Sequence, residues 1–418
     1  MYDLFSLPDF KMPEGFLWGS GYAGHQVEGN NIHSQRWARE QAGGTLEKSG
    51  IACDSYRRYA EDAELVRALG HQAFRTSVEW ARIEPEEGVF NEEAIEHYVR
   101  FFALLKEKGV QVFATMIHVT YPQWLEEKGG LTNRENLRYF ERFLRRVVPR
   151  IAPYVSYWNV LNETNIQSAP TKLSSLAYHA LGYHVIHEYS KRPVSSAHAL
   201  MEYTPLRAYD RFDQITAQME DWKCNEFYFH ALRTGEVVYP GYDVAYIPDL
   251  KDALDYWSIN FYVREMEDSR RREPECSRYR HKLLKMIDMD FYLEEMHPEG
   301  MISSLLRLDR HLPIYITENG CSCDDDRFRI VFLSLYLCAI KEAMDLGADV
   351  RGYLQWTLLD NYEWTSFAPK FGMVAVDRET CERTVKPSAY FYRDCIEHNG
   401  LSQEIIRRYL DQMPSLAK

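Results

Sequence analysis

Two glutamates, Glu163 and Glu318, combine residue type and position in the way that acid–base chemistry requires. Glu163 follows the strand-like run Tyr154 to Asn162, and Glu318 follows the run Pro313 to Thr317. A carboxylate at the open end of a buried strand has rigid backbone behind it and a cavity ahead of it. Two such carboxylates in one barrel can flank a glycosidic bond, one as the acid and the other as the nucleophile.

The elements that must position this pair follow one repeated pattern, in which a helix ends at a glycine and an apolar strand comes next. Gly70, Gly109 and Gly347 each close a helical stretch in this way, because glycine supplies the left-handed cap. The strand candidates are Phe16–Gly21, Ala73–Val78, Val110–Met116, Tyr154–Asn162, Val194–Leu200, Asp255–Asn260, Ile314–Thr317 and Val350–Trp356.

Strands that alternate with helices imply a parallel sheet with crossover helices. Eight of them, spread over 418 residues, predict a (β/α)₈ TIM barrel with long strand-to-helix loops. The alternative is a doubly wound sheet, but no glycine-rich phosphate fingerprint follows any strand. Because no linker or low-complexity tract divides the chain, residues 1–418 are expected to form one domain.

Composition and charge narrow the classes of partner. The net charge of −13 disfavours nucleic acid and anionic membrane surfaces, and the longest apolar run, Ile330–Ile340, is too short to span a bilayer. That run predicts a helix that is buried on several sides or faces a partner subunit, and it is compatible with a homodimer. The chain shows no signal peptide and its eight cysteines are scattered, so free thiols and a cytoplasmic location are expected, with no metal and no cofactor.

Other polar or aromatic residues fall at the same level of the predicted barrel as the two glutamates. Catalytic residues of such barrels lie at the C-terminal ends of the strands. Besides Glu163 and Glu318, the residues at or just after these ends are Gln26, Glu28, Arg75, His118, Asn260, Tyr262, Trp356, Asp360, Glu363 and Trp364. Any one of them has a structural explanation, whereas their convergence on one face indicates a site.

Three motifs in this order resemble those of glycoside hydrolase family 1, the retaining β-glucosidase and β-galactosidase group. They are His25-Gln26-Val27-Glu28-Gly29, Ile316-Thr317-Glu318-Asn319-Gly320 and Asp360-Asn361-Tyr362-Glu363-Trp364. The resemblance runs nearly end to end, from Phe16 to Tyr390. It implies a (β/α)₈ barrel, a carbohydrate substrate and no cofactor, in agreement with the strand count.

The resemblance also implies a role for individual residues. Glu318 matches the nucleophile, and Glu163 matches the acid that then acts as the base. Arg75 and Tyr262 match groups that hold the nucleophile, and Asn162 matches the amide that binds the sugar 2-hydroxyl. The positions that match contacts to the non-reducing sugar are Gln26, His118, Glu363, Trp364 and, as the stacking ring, Trp356. A nearby Glu318 carboxylate is expected to raise the pKa of Glu163 by like-charge repulsion.

This chain departs from the family pattern at two positions near the expected site. Thr164 follows the acid where a proline is usual, and Val119 follows His118 where many members carry an aromatic residue. The smaller Val119 is expected to widen the pocket, and the short chain is expected to have trimmed rim loops. Because Glu363 would repel a 6-phosphate, neutral sugars are favoured.

Two alternatives of other classes stay open at this point. One is a non-catalytic carbohydrate- or protein-binding relative that keeps the barrel but not the chemistry, for which Thr164 and Val119 are the only indications. The other is a lyase or isomerase built on the same barrel. That reading requires a metal cluster, phosphate-binding glycines or a Schiff-base lysine, and none stands out in the sequence.

Overall fold

The computed structural model describes residues 3–44, 46–270, 296–309 and 311–414, and its centre is a closed barrel of eight parallel strands. In chain order they are β1 (Leu17–Gly21), β2 (Ala73–Ser77), β3 (Gln111–Ile117), β4 (Val155–Asn162), β5 (Val194–Ala199), β6 (Trp257–Asn260), β7 (Ile314–Asn319) and β8 (Val350–Trp356). Each strand pairs with its sequence neighbours, and β8 closes the barrel against β1. The predicted (β/α)₈ fold is confirmed.

Helices connect the strands on the outside. Those of seven residues or more are α1 (Gln35–Gln41), α2 (Ser55–Ala68), α3 (Glu92–Glu107), α4 (Leu137–Ile151), α5 (Ala169–Tyr189), α6 (Arg211–Asp221), α7 (Phe227–Thr234), α8 (Pro298–Leu306), α9 (Arg327–Asp345), α10 (Pro387–His398) and α11 (Gln403–Tyr409). Single helical turns at Gly24–Val27, Trp80–Ile83 and Gln123–Glu126 lie in loops after β1, β2 and β3.

The glycines that end these helices act as predicted, and a capping residue begins one of them. Gly70, Gly109 and Gly347 adopt φ values of 74°, 78° and 105°, which a residue with a Cβ adopts only at a cost. Asn91 caps α3, since its side-chain oxygen accepts a hydrogen bond from the Ala94 N–H at 3.2 Å. The strand that follows each glycine is thereby aimed back into the barrel.

The apolar run Ile330–Ile340 lies within α9, and every residue of the run is buried inside this chain. α9 packs against α8, α10 and α11, so it offers no free apolar face to a second copy. The first reading of that run, a helix buried on several sides, is the one observed. Among the helices of the described residues, none combines the length and the apolar character that crossing a bilayer demands.

Short strand pairs outside the barrel were not predicted from the sequence. Glu202–Pro205 pairs with Arg264–Glu267, and Val374–Val376 pairs with Arg383–Val385. The stretch Met266 to Lys285 is rich in arginine and lysine, and the sequence predicts a solvated loop there, but its first residues lie inside the strand Arg264–Glu267. Its residues 271–285 lie outside the described part of the chain.

Candidate active site

The C-terminal ends of the barrel strands bring the predicted site residues to one place. Arg75 lies in β2, Asn162 ends β4 and Trp356 ends β8. Glu318 lies inside β7, one residue before its end, and Glu163 directly follows β4. The remaining predicted residues occupy the first turns of the loops after β1, β3, β6 and β8, namely Gln26, His118, Tyr262, Glu363 and Trp364.

The Glu318 carboxylate is held by one group at each oxygen. The Arg75 guanidinium forms a salt bridge with its Oε1, and both side chains are at most 5% exposed. The Tyr262 hydroxyl donates to its Oε2 at 2.8 Å. Burial and the neighbouring Glu318 charge raise the pKa of Tyr262 well above its ordinary value, so this phenol remains a donor. A cation and a hydroxyl donor therefore bond the two oxygens of this carboxylate.

A chain of amides links the two glutamates. Asn162 Oδ1 accepts from Arg75 at 2.6 Å and from the Asn260 amide at 3.1 Å. The same Asn260 Nδ2 donates to Glu163 Oε1 at 2.9 Å. The other end of the amide, Asn162 Nδ2, lies 3.2 Å from His118 Nε2, so its two hydrogens can serve that ring nitrogen and one further acceptor. Asn260 is oriented in turn by Thr317, whose hydroxyl donates to Asn260 Oδ1 at 2.8 Å.

Glu163 has the properties of an acid that is protonated near neutral pH. Its pKa is raised to about 7, first because burial penalises the charged form and second because of the Glu318 charge. Like-charge repulsion was expected from the sequence to be the cause; it contributes, but burial is the larger effect. The backbone of Glu163 has φ of 51°, a strained conformation for a residue other than glycine, and its N–H donates to the Ala197 carbonyl at 2.8 Å.

Aromatic and polar side chains form a second cluster, or wall, at this end of the barrel. His118 stacks between Trp356 and Trp364, with ring centres 5.8 Å and 6.0 Å away. Glu363 accepts a long hydrogen bond from Trp356 Nε1 at 3.4 Å, and burial raises its pKa to about 8. Burial and the Arg75 charge hold the pKa of His118 well below its ordinary value, so the imidazole is neutral.

Gln26 completes this wall with an unsatisfied acceptor. Its Nε2 donates to Asn361 Oδ1 at 3.0 Å and to the Tyr362 carbonyl at 2.9 Å. Its Oε1 is buried and has no partner. Buried polar atoms without a partner are rare and cost free energy, so an oxygen held in this way is suited to accept from a bound hydroxyl.

Two strand-end acids noted in the sequence do not belong to the site. Glu28 forms a salt bridge with Arg82 at 2.6 Å and accepts from the Tyr98 hydroxyl, while Asp360 forms a salt bridge with Lys386 at 2.7 Å. Conversely, Asn260 and Asn361 orient site residues, a role that the sequence did not assign to them. The position of Asn260 at the end of β6, paired in register with Glu318, was the available signal.

The described residues contain no group of histidine, cysteine or acidic side chains with the arrangement of a metal site. The arrangement comprises one supported carboxylate, one buried carboxyl with a raised pKa, and a wall of aromatic rings and amides. Rings offer stacking surface to a sugar, and amides and carboxyls bond its hydroxyls. The geometry can therefore serve acid-assisted substitution at a sugar carbon.

Comparisons with known proteins agree with this geometry. The chain matches the model of "Glycosyl hydrolase family 1" over residues 9–221 and 177–401. It is 28% identical to a 1,4-beta-D-glucan glucohydrolase of Thermotoga neapolitana, over 94% of this chain and 99% of that one. It is 27% identical to a beta-galactosidase of Sulfolobus acidocaldarius, over 97% and 98% of the two chains.

Solved structures give the same result. The beta-glycosidase from Pyrococcus horikoshii superposes with a TM-score of 0.86 at 30% identity, covering 96% of this chain and 98% of that one. The family 1 b-glucosidase from Thermotoga maritima superposes with a TM-score of 0.82 at 26% identity, over 94% and 99%. The matched fold, the matched length and the strand-end carboxyls agree, and the chain belongs to glycosyl hydrolase family 1 as a β-glycosidase.

Proposed function

We propose that this chain is a retaining exo-β-glycosidase that hydrolyses neutral β-O-glycosides, β-glucosides first and β-galactosides or β-fucosides second. The observation that carries the proposal is the contrast between the two glutamates. Arg75 and Tyr262 each bond one oxygen of the Glu318 carboxylate, whereas burial raises the pKa of the neighbouring Glu163 to about 7. A retaining mechanism requires this division of labour.

In the first step, the Glu318 carboxylate attacks the anomeric carbon while the bond to the departing oxygen breaks. Glu163 delivers its proton to that oxygen, which leaves as an alcohol. Glu318 is now an ester and has lost its charge. The repulsion that helped to raise the pKa of Glu163 is therefore gone, and Glu163 remains as a carboxylate.

In the second step, Glu163 takes a proton from water, and the resulting oxygen nucleophile attacks the anomeric carbon. The bond to Glu318 breaks, the carboxylate is restored, and the sugar leaves with its original β configuration. Asn162, whose oxygen is fixed by Arg75 and Asn260, directs its N–H₂ group at the 2-hydroxyl. That contact strengthens as charge develops on the ring.

The sugar preference rests on Glu363 and Gln26. A carboxyl whose pKa is about 8 is mostly protonated near neutral pH and can both donate to and accept from neutral hydroxyls, whereas it offers a phosphate no cation to pair with. The unsatisfied Gln26 Oε1 adds one acceptor. A relative at 25% identity is a 6-phospho-beta-galactosidase of Staphylococcus epidermidis, so the panel below includes a phosphorylated sugar.

The test is a panel of 4-nitrophenyl glycosides carrying β-glucose, β-galactose, β-fucose, β-mannose, α-glucose and 6-phospho-β-glucose. We expect cleavage of the neutral β-glycosides, led by the glucoside, and proton NMR should show the β anomer as the first product. The α anomer as the first product would overturn the retaining mechanism. A variant with Glu163→Gln and Glu318→Gln should be inactive, and the matched control Glu107→Gln, on the exposed end of α3, should not.

We also propose a cytoplasmic location. The seven cysteines that the structure describes are buried and form no disulfide with one another, which is usual for a protein of a reducing compartment. The homodimer considered from the sequence stays a prediction, and its support is weaker because α9 is covered within the chain. Sedimentation of the purified protein would decide it.

A further inference from the structure

A side cavity of 490 Å³ opens beside the reaction centre, between α1 and the ends of β3 and β4. Its wall includes Asn162 and Thr164, the residues on either side of Glu163. Val119 also lines the cavity, as do Arg36 and Arg39 of α1. The volume is within the range of ligand-binding clefts and is sufficient for a substituted aromatic ring.

The cavity lies at the two positions where this chain departs from the family pattern. Val119 and Thr164 are both small, and Val119 adopts a φ of 67°. Gln35 holds that backbone in place, because its Nε2 donates to the Val119 carbonyl at 2.8 Å and its Oε1 accepts from the Tyr121 N–H at 2.9 Å. The space is therefore built into a hydrogen-bonded loop.

The wall carries an excess of positive charge. In the part of the chain that the structure describes, neither Arg36 nor Arg39 forms an ion pair with a carboxylate. Arg36 is partly buried, stacks 5.2 Å over the Trp364 ring and donates to the Trp364 carbonyl at 3.2 Å. Burial and the Arg39 charge lower the pKa of Arg36. The acidic residue of the wall, Glu126, accepts from the Tyr121 hydroxyl at 2.6 Å.

Two guanidinium groups that lack a carboxylate and face a cleft are suited to bind an anion. The sugar itself does not supply that anion. Its 2-hydroxyl must stay free to bond Asn162 in the transition state, and its other hydroxyls meet Gln26, His118 and Glu363. The leaving group is therefore the part of the substrate that can carry the anion. Thr164 directly follows Glu163, the acid that must face the departing oxygen.

We propose that the side cavity is a leaving-group subsite for an aglycone that carries a carboxylate, with Arg39 and Arg36 as its charge partners. This proposal rests on the proposed function, since it names the class of β-glycoside that the same reaction centre cleaves. In this proposal, the exposed Arg39 is the residue that first meets the incoming carboxylate. Arg36, braced against Trp364, then fixes the bound carboxylate beside the sugar.

The test compares 3- and 4-(carboxymethyl)phenyl β-D-glucosides with their methyl esters. The methylene group insulates the phenol oxygen, so acid and ester are matched in leaving-group ability and differ in charge. We expect the acids to exceed the esters in kcat/KM by about tenfold at low ionic strength, with the ratio falling as salt screens the arginines. Equal values for acid and ester in the wild-type enzyme would overturn the subsite.

Single-residue variants test whether Arg39 and Arg36 cause the preference for the acids over the esters. Arg39→Gln and Arg36→Gln should each lower the acid-to-ester ratio severalfold, while Arg211→Gln, an exposed charge change on α6, should leave the ratio unchanged. If the acid-to-ester ratio falls equally in Arg211→Gln, the preference comes from the overall charge of the protein and not from the cavity. Val119→Trp, which fills the cavity, should lower kcat/KM for the acids more than for 4-nitrophenyl β-glucoside.

The two proposals can fail separately. If neutral glucosides are cleaved without preference for the acids, the function stands and the subsite is wrong. If no glucoside is cleaved, calorimetry with 4-hydroxyphenylacetate, the leaving group alone, tests the cavity directly. Binding that weakens in Arg39→Gln would then support the subsite, and no binding at millimolar concentration would overturn it.

Discussion

The two ends of the barrel are built from the same strands but bury different side chains, aromatic at one end and polar at the other. At the N-terminal end, Tyr157 of β4 and Tyr315 of β7 meet Phe113 and Tyr256 in an aromatic plug. Phe113 stacks on Tyr157 with ring centres 4.2 Å apart. At the C-terminal end, the same two strands carry Asn162 and Glu318, which join a network of buried polar groups.

The difference shows where stability and function reside. Closing the aromatic plug removes apolar surface from water, and its hydroxyls bond one another, as in the 2.9 Å contact of Tyr157 with Tyr315. The catalytic end buries carboxyls whose pKa values are raised, so it opposes folding wherever those groups are charged. The positive φ angles of Val119, Glu163 and Trp364 add strain there.

The largest expected effect is at the catalytic end. Glu318→Gln should lower kcat for 4-nitrophenyl β-glucoside by about 10⁴-fold or more, because an amide cannot form the covalent intermediate. Gln keeps a carbonyl oxygen for Arg75 and Tyr262, so the melting temperature should change little. Activity within tenfold of the control Glu107→Gln would remove Glu318 from the reaction.

The loss of activity in Glu163→Gln should depend on the leaving group, and it should be larger where the leaving group needs a proton more. We expect a loss of about 10²- to 10⁴-fold for alkyl and phenyl glucosides and a much smaller loss for 2,4-dinitrophenyl β-glucoside. Steady-state rates over a series of aryl glucosides would measure the trend. An equal loss across the series would contradict the acid role.

Phe113→Ala should leave the catalytic activity of the folded protein unchanged and lower its stability. Phe113 is fully buried, so the cavity should lower the free energy of unfolding by about 3–5 kcal/mol. Below its melting temperature the variant should keep the wild-type KM. Phe212→Ala, at a ring that is 72% exposed, serves as the control and should change stability by about 0.5 kcal/mol or less. A loss of activity in folded Phe113→Ala would show that the two ends are coupled.

The pH dependence tests the raised pKa of Glu163. As pH rises above about 7, the free enzyme loses the acidic proton, so kcat/KM for phenyl β-glucoside should fall about tenfold per pH unit. The 2,4-dinitrophenyl glucoside needs no such proton and should show a flatter profile. Since the folded pKa lies above the ordinary 4.5, ionisation of Glu163 also lowers stability as pH rises from about 4.5 to 7.

The smallest effect concerns strain at the catalytic end. Val119→Gly should raise the free energy of unfolding by about 1 kcal/mol, because glycine adopts a φ of 67° without steric cost. Chemical denaturation would measure the change. Val89→Gly, an exposed position outside the left-handed region, should instead destabilise by about 0.5–1 kcal/mol. A loss of stability in Val119→Gly would mean that packing of the valine side chain contributes more free energy than the strain of its backbone costs.

Much of the fold could be predicted from the sequence because most strands are apolar runs, and three of them, β2, β3 and β8, also follow a glycine that ends a helix. Phe16–Gly21 and Asp255–Asn260 were predicted within two residues of β1 and β6. Short polar pairs such as Glu202–Pro205 with Arg264–Glu267 were missed, because a two-stranded pairing of half-buried residues lacks an apolar pattern.

The candidate site could be predicted in part. Glu163 and Glu318 stood out because a strand-end carboxylate is a local feature. The link through Asn260, the dominance of burial over repulsion at Glu163, and the side cavity depend on residues far apart in sequence, so no local pattern signals them. The roles of the individual side chains and the single domain over residues 1–418 stay predictions.

The aromatic plug also sets the order of events in a catalytic cycle. In the described part of the chain, Phe113, Tyr157 and Tyr315 close the far end of the barrel, so in the cycle proposed above substrate, water and both products use the C-terminal end. In that proposed cycle the leaving group lies nearer the open end and departs before water attacks, so the sugar leaves last. Free glucose should therefore compete with substrate for the empty enzyme, whereas the departed alcohol should meet the glycosyl-enzyme and accept the sugar back.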